Sequence, residues 1–448
     1  MRALAALFAV GLAGAANAQQ PPTLPRLTLQ QAIDAAQRHQ PDIIAAREAL
    51  AAATARERQA GAYPNPTLSY GREQTSAAGE TSSQNIAAVE QRLEPGGLRG
   101  ARADAARFRR EAAAARLSAV VTQVEYETTR AYAMALAADR RAQLAEQATE
   151  AFAQARSVSE RRLASGDVSG YVHRRIRLEA ARYAGLRGEA LLAKRAARFA
   201  LVSLISGTAD SIGSIDVVLA DTLPPVSLGA PASLTGAPNA SFPGEGVPDT
   251  LIRLALRSRT DLRALVRDAE VARAESRIAA GERVPTPALS IGYKTERVTG
   301  VAEQGNGFTA GVWIPLPVWD RRAGTVAAAN AESRRRVAET DALRRRVVRE
   351  VAEAHDAYQS VMAQLALLAP ELGGETRIAM RAVQVAYAEG EATVIEWLDA
   401  VRAYHEAESS FAALRAEAMI RRAALVRALG VPLAPSTIHG GAGASARD

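Results

Sequence analysis

The sequence predicts a mainly α-helical chain with a β portion of four strands, the whole pattern being written twice. Three features predict it. Apolar residues make up 48% of the 448 positions but aromatics only 4%, so alanine, leucine and valine carry the apolar content. That composition suits long helices in close contact and suits a thick mixed core badly. Segments also recur at a nearly constant offset: Ile33–Asp42 answers Ile252–Asp261 at 219, Gly166 answers Gly390 at 224, and Gly207 answers Gly430 at 223. Glycine and proline punctuation held in register is the mark of an internal duplication. Finally, each half contains two β-type runs.

Met1 and Arg2 precede an apolar run from Ala3 to Gly14 and then Ala16-Asn17-Ala18, which reads as a signal peptide over residues 1–18. The first repeat is expected over 19–207, a Pro-, Gly- and Ser-rich linker or equatorial segment over 208–248, the second repeat over 249–430 and a tail over 431–448. Each repeat opens with a helix, about 28–62 and then 248–282. Hairpin strands follow at about 66–74 and 84–93, and at about 287–297 and 307–316. In the second pair Leu289, Ile291 and Tyr293 alternate with Ser290, Gly292 and Lys294. A very long helix comes next, about 99–164 and then 322–388, with a glycine turn and a last helix at about 169–206 and 393–429. At about 1.5 Å per residue the long helix spans roughly 100 Å, and the two shorter ones stacked end to end match it.

Strands of nine or ten residues have the length of transmembrane β-strands, and no segment after the signal peptide approaches the roughly 18 apolar residues that a membrane-spanning helix needs. Four strands cannot close a barrel, and an open sheet edge cannot face lipid. Copies of the chain must then cooperate, and three would give 12 strands with room for a lumen. The competing reading is a soluble hairpin pair capping a coiled coil.

Composition removes several function classes. With no cysteine there is no disulfide scaffold, thiolate metal site or cysteine nucleophile. Lys+Arg 55 against Asp+Glu 48 gives +7, and only Lys194 and Lys294 are lysines. An excess spread along helices is not the concentrated patch that a nucleic-acid partner needs. His39, His173, His355, His405 and His439 are scattered without metal-ligand spacing, and His405-Glu406 lacks the second histidine of a zinc-protease motif. Gly96-Gly97 and the glycine-rich linker fit no phosphate loop. No catalytic residue, metal site or cofactor is expected.

LEPGGLRGAR (93–102), LPVWDRRAG (316–324), RLASGD (162–167) and YAEGEATVIEWLDA (387–400), with the signal peptide and the duplicated plan, resemble the TolC-like outer-membrane efflux family over about residues 27–430. The GGLRGAR turn and IPLPVWDR are most like its heavy-metal (CzcC-like) branch. The resemblance implies a long antiparallel α-helical barrel plus four transmembrane β-strands per chain, with a homotrimer closing a 12-stranded barrel. It implies a cell outer-membrane location with a long periplasmic extension, and no enzyme activity. The implied function is a passive exit duct of a tripartite efflux system, with heavy-metal cations as cargo. The implied partners are a periplasmic adaptor (membrane fusion) protein, an inner-membrane pump of the RND type and outer-membrane lipid. The alternatives are a periplasmic coiled-coil adaptor or scaffold, which would show one hairpin flanked by split β-domains, and a duct of the same kind for drugs or other small molecules.

By the same resemblance, the two glycine turns form an adaptor-docking rim made of Arg162, Leu163, Gly166, Asp167, Glu389, Gly390 and Glu391. The plain alternative is that glycine merely closes each helix. Glu396 and Asp399 lie at i, i+3 and share a helix face, matching the family's acidic constriction, while Tyr387 matches its gate tyrosine. Thr393 to Glu396 is also a capping box, which gives Glu396 a structural role and leaves Asp399 as the stronger constriction residue. The family's acidic–arginine lock is replaced here by Val172 and Ala392.

Overall fold

The computed structural model describes residues 26–77, 80–94, 97–207, 218–220, 247–300, 303–370 and 376–431. The expected signal peptide, most of the 208–248 segment and the tail beyond 431 lie outside the described residues. The first half runs β1 (Arg26–Leu27), α1 (Leu29–His39), α2 (Pro41–Ala60), β2 (Thr67–Ala77), β3 (Glu80–Arg92), α3 (Leu98–Ala164) and α4 (Gly170–Ile205). After β4 (Val218–Leu219), the second half runs α5 (Asp249–Ser258), α6 (Thr260–Gly281), β5 (Ala288–Val298), β6 (Gly305–Trp313), α7 (Ala323–Pro370), α8 (Thr376–Glu389) and α9 (Val394–Leu429).

Three expected helices are divided. Gln40 is extended (φ −64°, ψ 122°) and Pro41 opens α2, because a residue before proline is driven out of the helical region. Arg259 breaks the matching helix in the second half at φ −61°, ψ 118° with no proline. There the break is tertiary: Asp261 and Glu350 both grip its guanidinium. Pro370 closes α7, so the stretch expected over 322–388 is two helices. The first hairpin is longer than expected, since the polar Ser76 and Thr81 pair across it, their hydroxyls 3.0 Å apart.

The 67-residue α3 is the spine. It packs along α2 and α6 towards the sheet, and along α4 and α9 towards the other end. Buried alanines at 101, 105, 106, 112, 115, 133, 135, 142, 145, 148 and 155 let neighbouring backbones approach closely. The core is a string of small clusters along the rod, with Tyr132 of α3 at mid-height donating to the Leu27 carbonyl at 2.8 Å. Antiparallel ion pairs step along the α3–α6 seam: Arg109–Glu275, Arg116–Asp268, Arg277–Asp104 and Arg267–Glu111.

Each half closes with a glycine packed on the break between its first two helices. A Cβ on Gly207 would stand 3.1 Å from His39 Nδ1, and one on Gly430 would stand 2.7 Å from Arg259 Cα. Gly430 is also left-handed (φ 67°). A Gly430→Ala variant is therefore expected to lose about 1–3 kcal/mol, seen as a lower melting temperature of the mature protein. Gly100→Ala, a helical site with nothing within 4 Å of the new Cβ, is expected to lose nothing and to gain up to about 1 kcal/mol.

Candidate functional site

At the end of the rod away from the sheet, the two glycine turns have one geometry. Gly166 and Gly390 have φ of 83° and 87°. The Asp167 N–H donates to the Arg162 carbonyl (2.9 Å) and the Glu391 N–H to the Ala386 carbonyl (2.8 Å), the six-to-one closure of a Schellman motif. The turns lie together, since the Arg162 guanidinium carbon stands 6.0 Å from the Tyr387 ring centre. Leu163, Gly166, Asp167, Glu389, Gly390 and Glu391 are exposed, and Arg162 is partly covered.

Behind the turns runs an aromatic ladder through four helices. Tyr387 of α8 stacks on Trp397 of α9 (5.5 Å), which meets Phe152 of α3 edge-on (5.2 Å). Phe152 stacks on Tyr183 of α4 (4.5 Å), and Tyr183 meets His405 of α9 edge-on (5.5 Å). Burial and the nearby Arg141 hold the His405 imidazole below its ordinary range, so the ladder stays uncharged at that end. Tyr387, expected at the constriction, is half-buried within this cluster, and burial pushes its hydroxyl up. Val172 packs on the same cluster, in keeping with a position that carries no charged lock.

What joins α4 to α9 instead is an ion pair between Glu179, which is buried, and Arg402. Arg402 also reaches Asp399 at 3.5 Å, so Asp399 shares its charge with a cation. Glu396 is exposed and accepts from the Thr393 N–H (2.7 Å) and hydroxyl (2.8 Å), completing the capping box. Those two donors hold its carboxyl below the usual range. Among the described residues no cation pairs with it, so capping and a permanent negative charge coexist on one side chain. Arg402 is absent from the expected site, although its place three residues after Asp399 signals the pairing. For Glu179 the local signal is Arg182 at i, i+3, whereas Arg402, the nearer cation in the fold, is 223 residues away.

A second overlooked feature lies on α4. Tyr171, Leu178, Leu192 and Phe199 are 62%, 69%, 70% and 52% exposed and stand seven or fourteen residues apart, with Gly185 completing the series. They form an apolar row along one stripe of α4 that stays largely exposed among the described residues.

At the opposite end the strands form one antiparallel sheet in the order β2-β3-β5-β6, so β3 and β5 join the two halves. The register sorts the two faces. One carries the rows Leu68–Val89–Ile291–Ala310 and Tyr70–Ala87–Tyr293–Phe308, with Leu289 and Val312 paired below them. The other carries Ser69, Glu73, Gln84, Glu90, Ser290, Glu296 and Thr309, with glycines at 71, 292, 307 and 311. A Cβ on Gly292 would meet the Ala87 carbonyl and the Thr309 hydroxyl at 2.7 Å, so this face has no room for a side chain there. Apolar-out, polar-in alternation is that of a transmembrane barrel wall. No described helix is long and apolar enough to cross a membrane.

Residues 251–431 match the sequence family described as Outer membrane efflux protein. The chain is 25% identical over 395 residues to the cobalt-zinc-cadmium resistance protein CzcC of Cupriavidus metallidurans, covering 86% of this chain and 87% of that one. Its fold matches the outer-membrane channel OprN with a TM-score of 0.72 at 20% identity, over 90% of each chain. It matches the Campylobacter jejuni CmeC outer membrane channel with a TM-score of 0.71 at 15% identity, over 90% of this chain and 85% of that one.

The α4–α9 ion pair gives a test of how the tip is held. Arg402→Gln leaves buried Glu179 with only Arg182 at 3.8 Å, and is expected to cost about 3 kcal/mol of thermal stability. Adding Glu179→Gln removes the stranded charge and is expected to recover more than half of that loss in the same melting experiment.

Proposed function

We infer that this chain is an outer-membrane efflux channel of TolC-like architecture, a passive duct from periplasm to exterior. The observation that carries this is the two-faced sheet with free outer edges on β2 and β6, set at one end of a helical rod about 100 Å long. Lipid cannot satisfy those edges, so neighbouring copies must. Three copies close a barrel of 12 strands, since each contributes the four of β2, β3, β5 and β6. The exposed apolar row on α4 supplies a contact surface for a neighbouring copy along the helical part.

Heavy-metal cations are the proposed cargo, by likeness to a cobalt-zinc-cadmium resistance protein. The proposed constriction is the helix end carrying Glu396 and Asp399, with Tyr387 bracing α8 against α9 behind it. In a trimer the three Glu396 carboxylates form a ring of unpaired charge, and the Asp399 ring is tempered by Arg402. The proposed docking rim for a periplasmic adaptor, and through it an RND-type inner-membrane pump, is the pair of glycine turns with Arg162, Leu163, Asp167, Glu389 and Glu391. Residues 1–18 are read as the export signal and the two halves as structural repeats.

The duct reading is tested by mass measurement of the purified protein in mild detergent: trimers are expected, and a monodisperse monomer would overturn it. In planar bilayers the trimer is expected to prefer cations. Glu396→Gln keeps the capping hydrogen bonds and should remove more of that preference than Asp399→Asn, judged by reversal potential under a salt gradient. At the rim, placing arginine at Gly390 puts a bulky side chain at φ 87° on an exposed turn. Trimers should persist while complementation of efflux is lost; unchanged resistance would count against docking there.

A further inference from the structure

The outward face of the sheet does not end at its apolar rows. Beyond the Tyr70–Tyr293–Phe308 row, one pleat repeat of about 6.6 Å further from the helices, the same face carries Arg72, Asn85, Thr295 and Asn306. The next row carries Gln74, Ser83 and Arg297. The four strand glutamates, Glu73, Glu80, Glu90 and Glu296, all have the opposite parity and belong to the inner face. Both arginines are exposed, and among the described residues neither has a carboxylate at ion-pair distance, whereas arginines of the helical rod are repeatedly paired. They open onto a surface cavity of about 550 Å³ that Gln74, Ser83 and Thr299 also line, with Glu303 at its hairpin rim.

This order has a chemical meaning. Aromatic side chains settle at the level where acyl chains give way to headgroups. Groups immediately above them on the lipid side therefore face headgroups, and two unpaired guanidinium forks beside hydroxyl and amide donors match phosphate oxygens. The strands enter from and return to the helices at their other ends, so this level lies on the exterior side if the helices are periplasmic. We propose that Arg72 and Arg297 form an outward basic site for the phosphate groups of the glycolipid of the outer leaflet, lipopolysaccharide. The site rests on the outer-membrane reading above. It would anchor the height of the barrel in the bilayer.

The test uses purified trimers of the mature chain in detergent, with bound lipid counted by native mass spectrometry. Three probes are compared: lipid A, lipid A stripped of its phosphates, and inorganic phosphate. The parent is expected to retain lipid A and not the stripped form, and the Arg72→Gln, Arg297→Gln double variant to bind lipid A about tenfold more weakly. Undiminished retention by the double variant, or equal retention of the two lipids by the parent, overturns the site. Competition by inorganic phosphate at concentrations below those of lipid A would assign the arginines to a free anion and also overturn it. Single-channel current from both proteins keeps the two ideas apart. A conducting trimer that ignores lipid phosphate defeats only this site, whereas a chain that makes neither trimer nor current defeats the duct.

Discussion

The rest of this molecule depends on one unmet need: the outer edges of β2 and β6 present a backbone ladder without a partner among the described residues. In water such an edge invites aggregation; in lipid each bare amide or carbonyl costs several kcal/mol. The β3–β5 pairing welds the two halves, leaving one free edge on each side. A chain built this way has a left and a right flank, and in the proposed duct copies of itself complete it. The helical rod would serve that geometry by holding every copy upright in one register.

Close approach of the helices is bought with alanine and steered with arginine. Small buried residues along α3 set the interaxial spacing, and the α3–α6 ion pairs fix how far one helix slides on the other. At the tip the strategy changes. Large rings are scarce in the sequence, yet five rings, from Tyr387 through Trp397, Phe152 and Tyr183 to His405, are concentrated there across four helices. A stiff aromatic brace sits where the chain would otherwise fray, behind two exposed turns closed by short-range hydrogen bonds.

Much of the architecture was legible because it rests on local rules. The alternation Leu289–Ile291–Tyr293 against Ser290–Gly292–Lys294 assigned the faces of β5 before any pairing was known, and Gly166 and Gly390 marked the helix ends. The Thr393–Glu396 box was readable because its partners are three residues apart. What stayed hidden was tertiary. The break at Arg259 needs Glu350, 91 residues away, and nothing near Asp399 tells that Arg402 is also claimed by Glu179. The strand order is equally non-local, since on pattern alone β3 fits either strand of the second hairpin. The seven-residue series on α4 was present in the sequence, but its meaning depended on the tertiary finding that this stripe stays exposed among the described residues.

The near-absence of lysine also governs how the helices meet. Of 55 basic residues only Lys194 and Lys294 are not arginine, so the interhelical pairs are almost all guanidinium to carboxylate. An ammonium is a point charge about which a partner can swing, whereas a guanidinium is a flat fork whose donors point in fixed directions. Seams fastened by forks constrain the angle between two helices as well as their separation, so a rod of thin, alanine-faced helices gains stiffness against twisting from its charges.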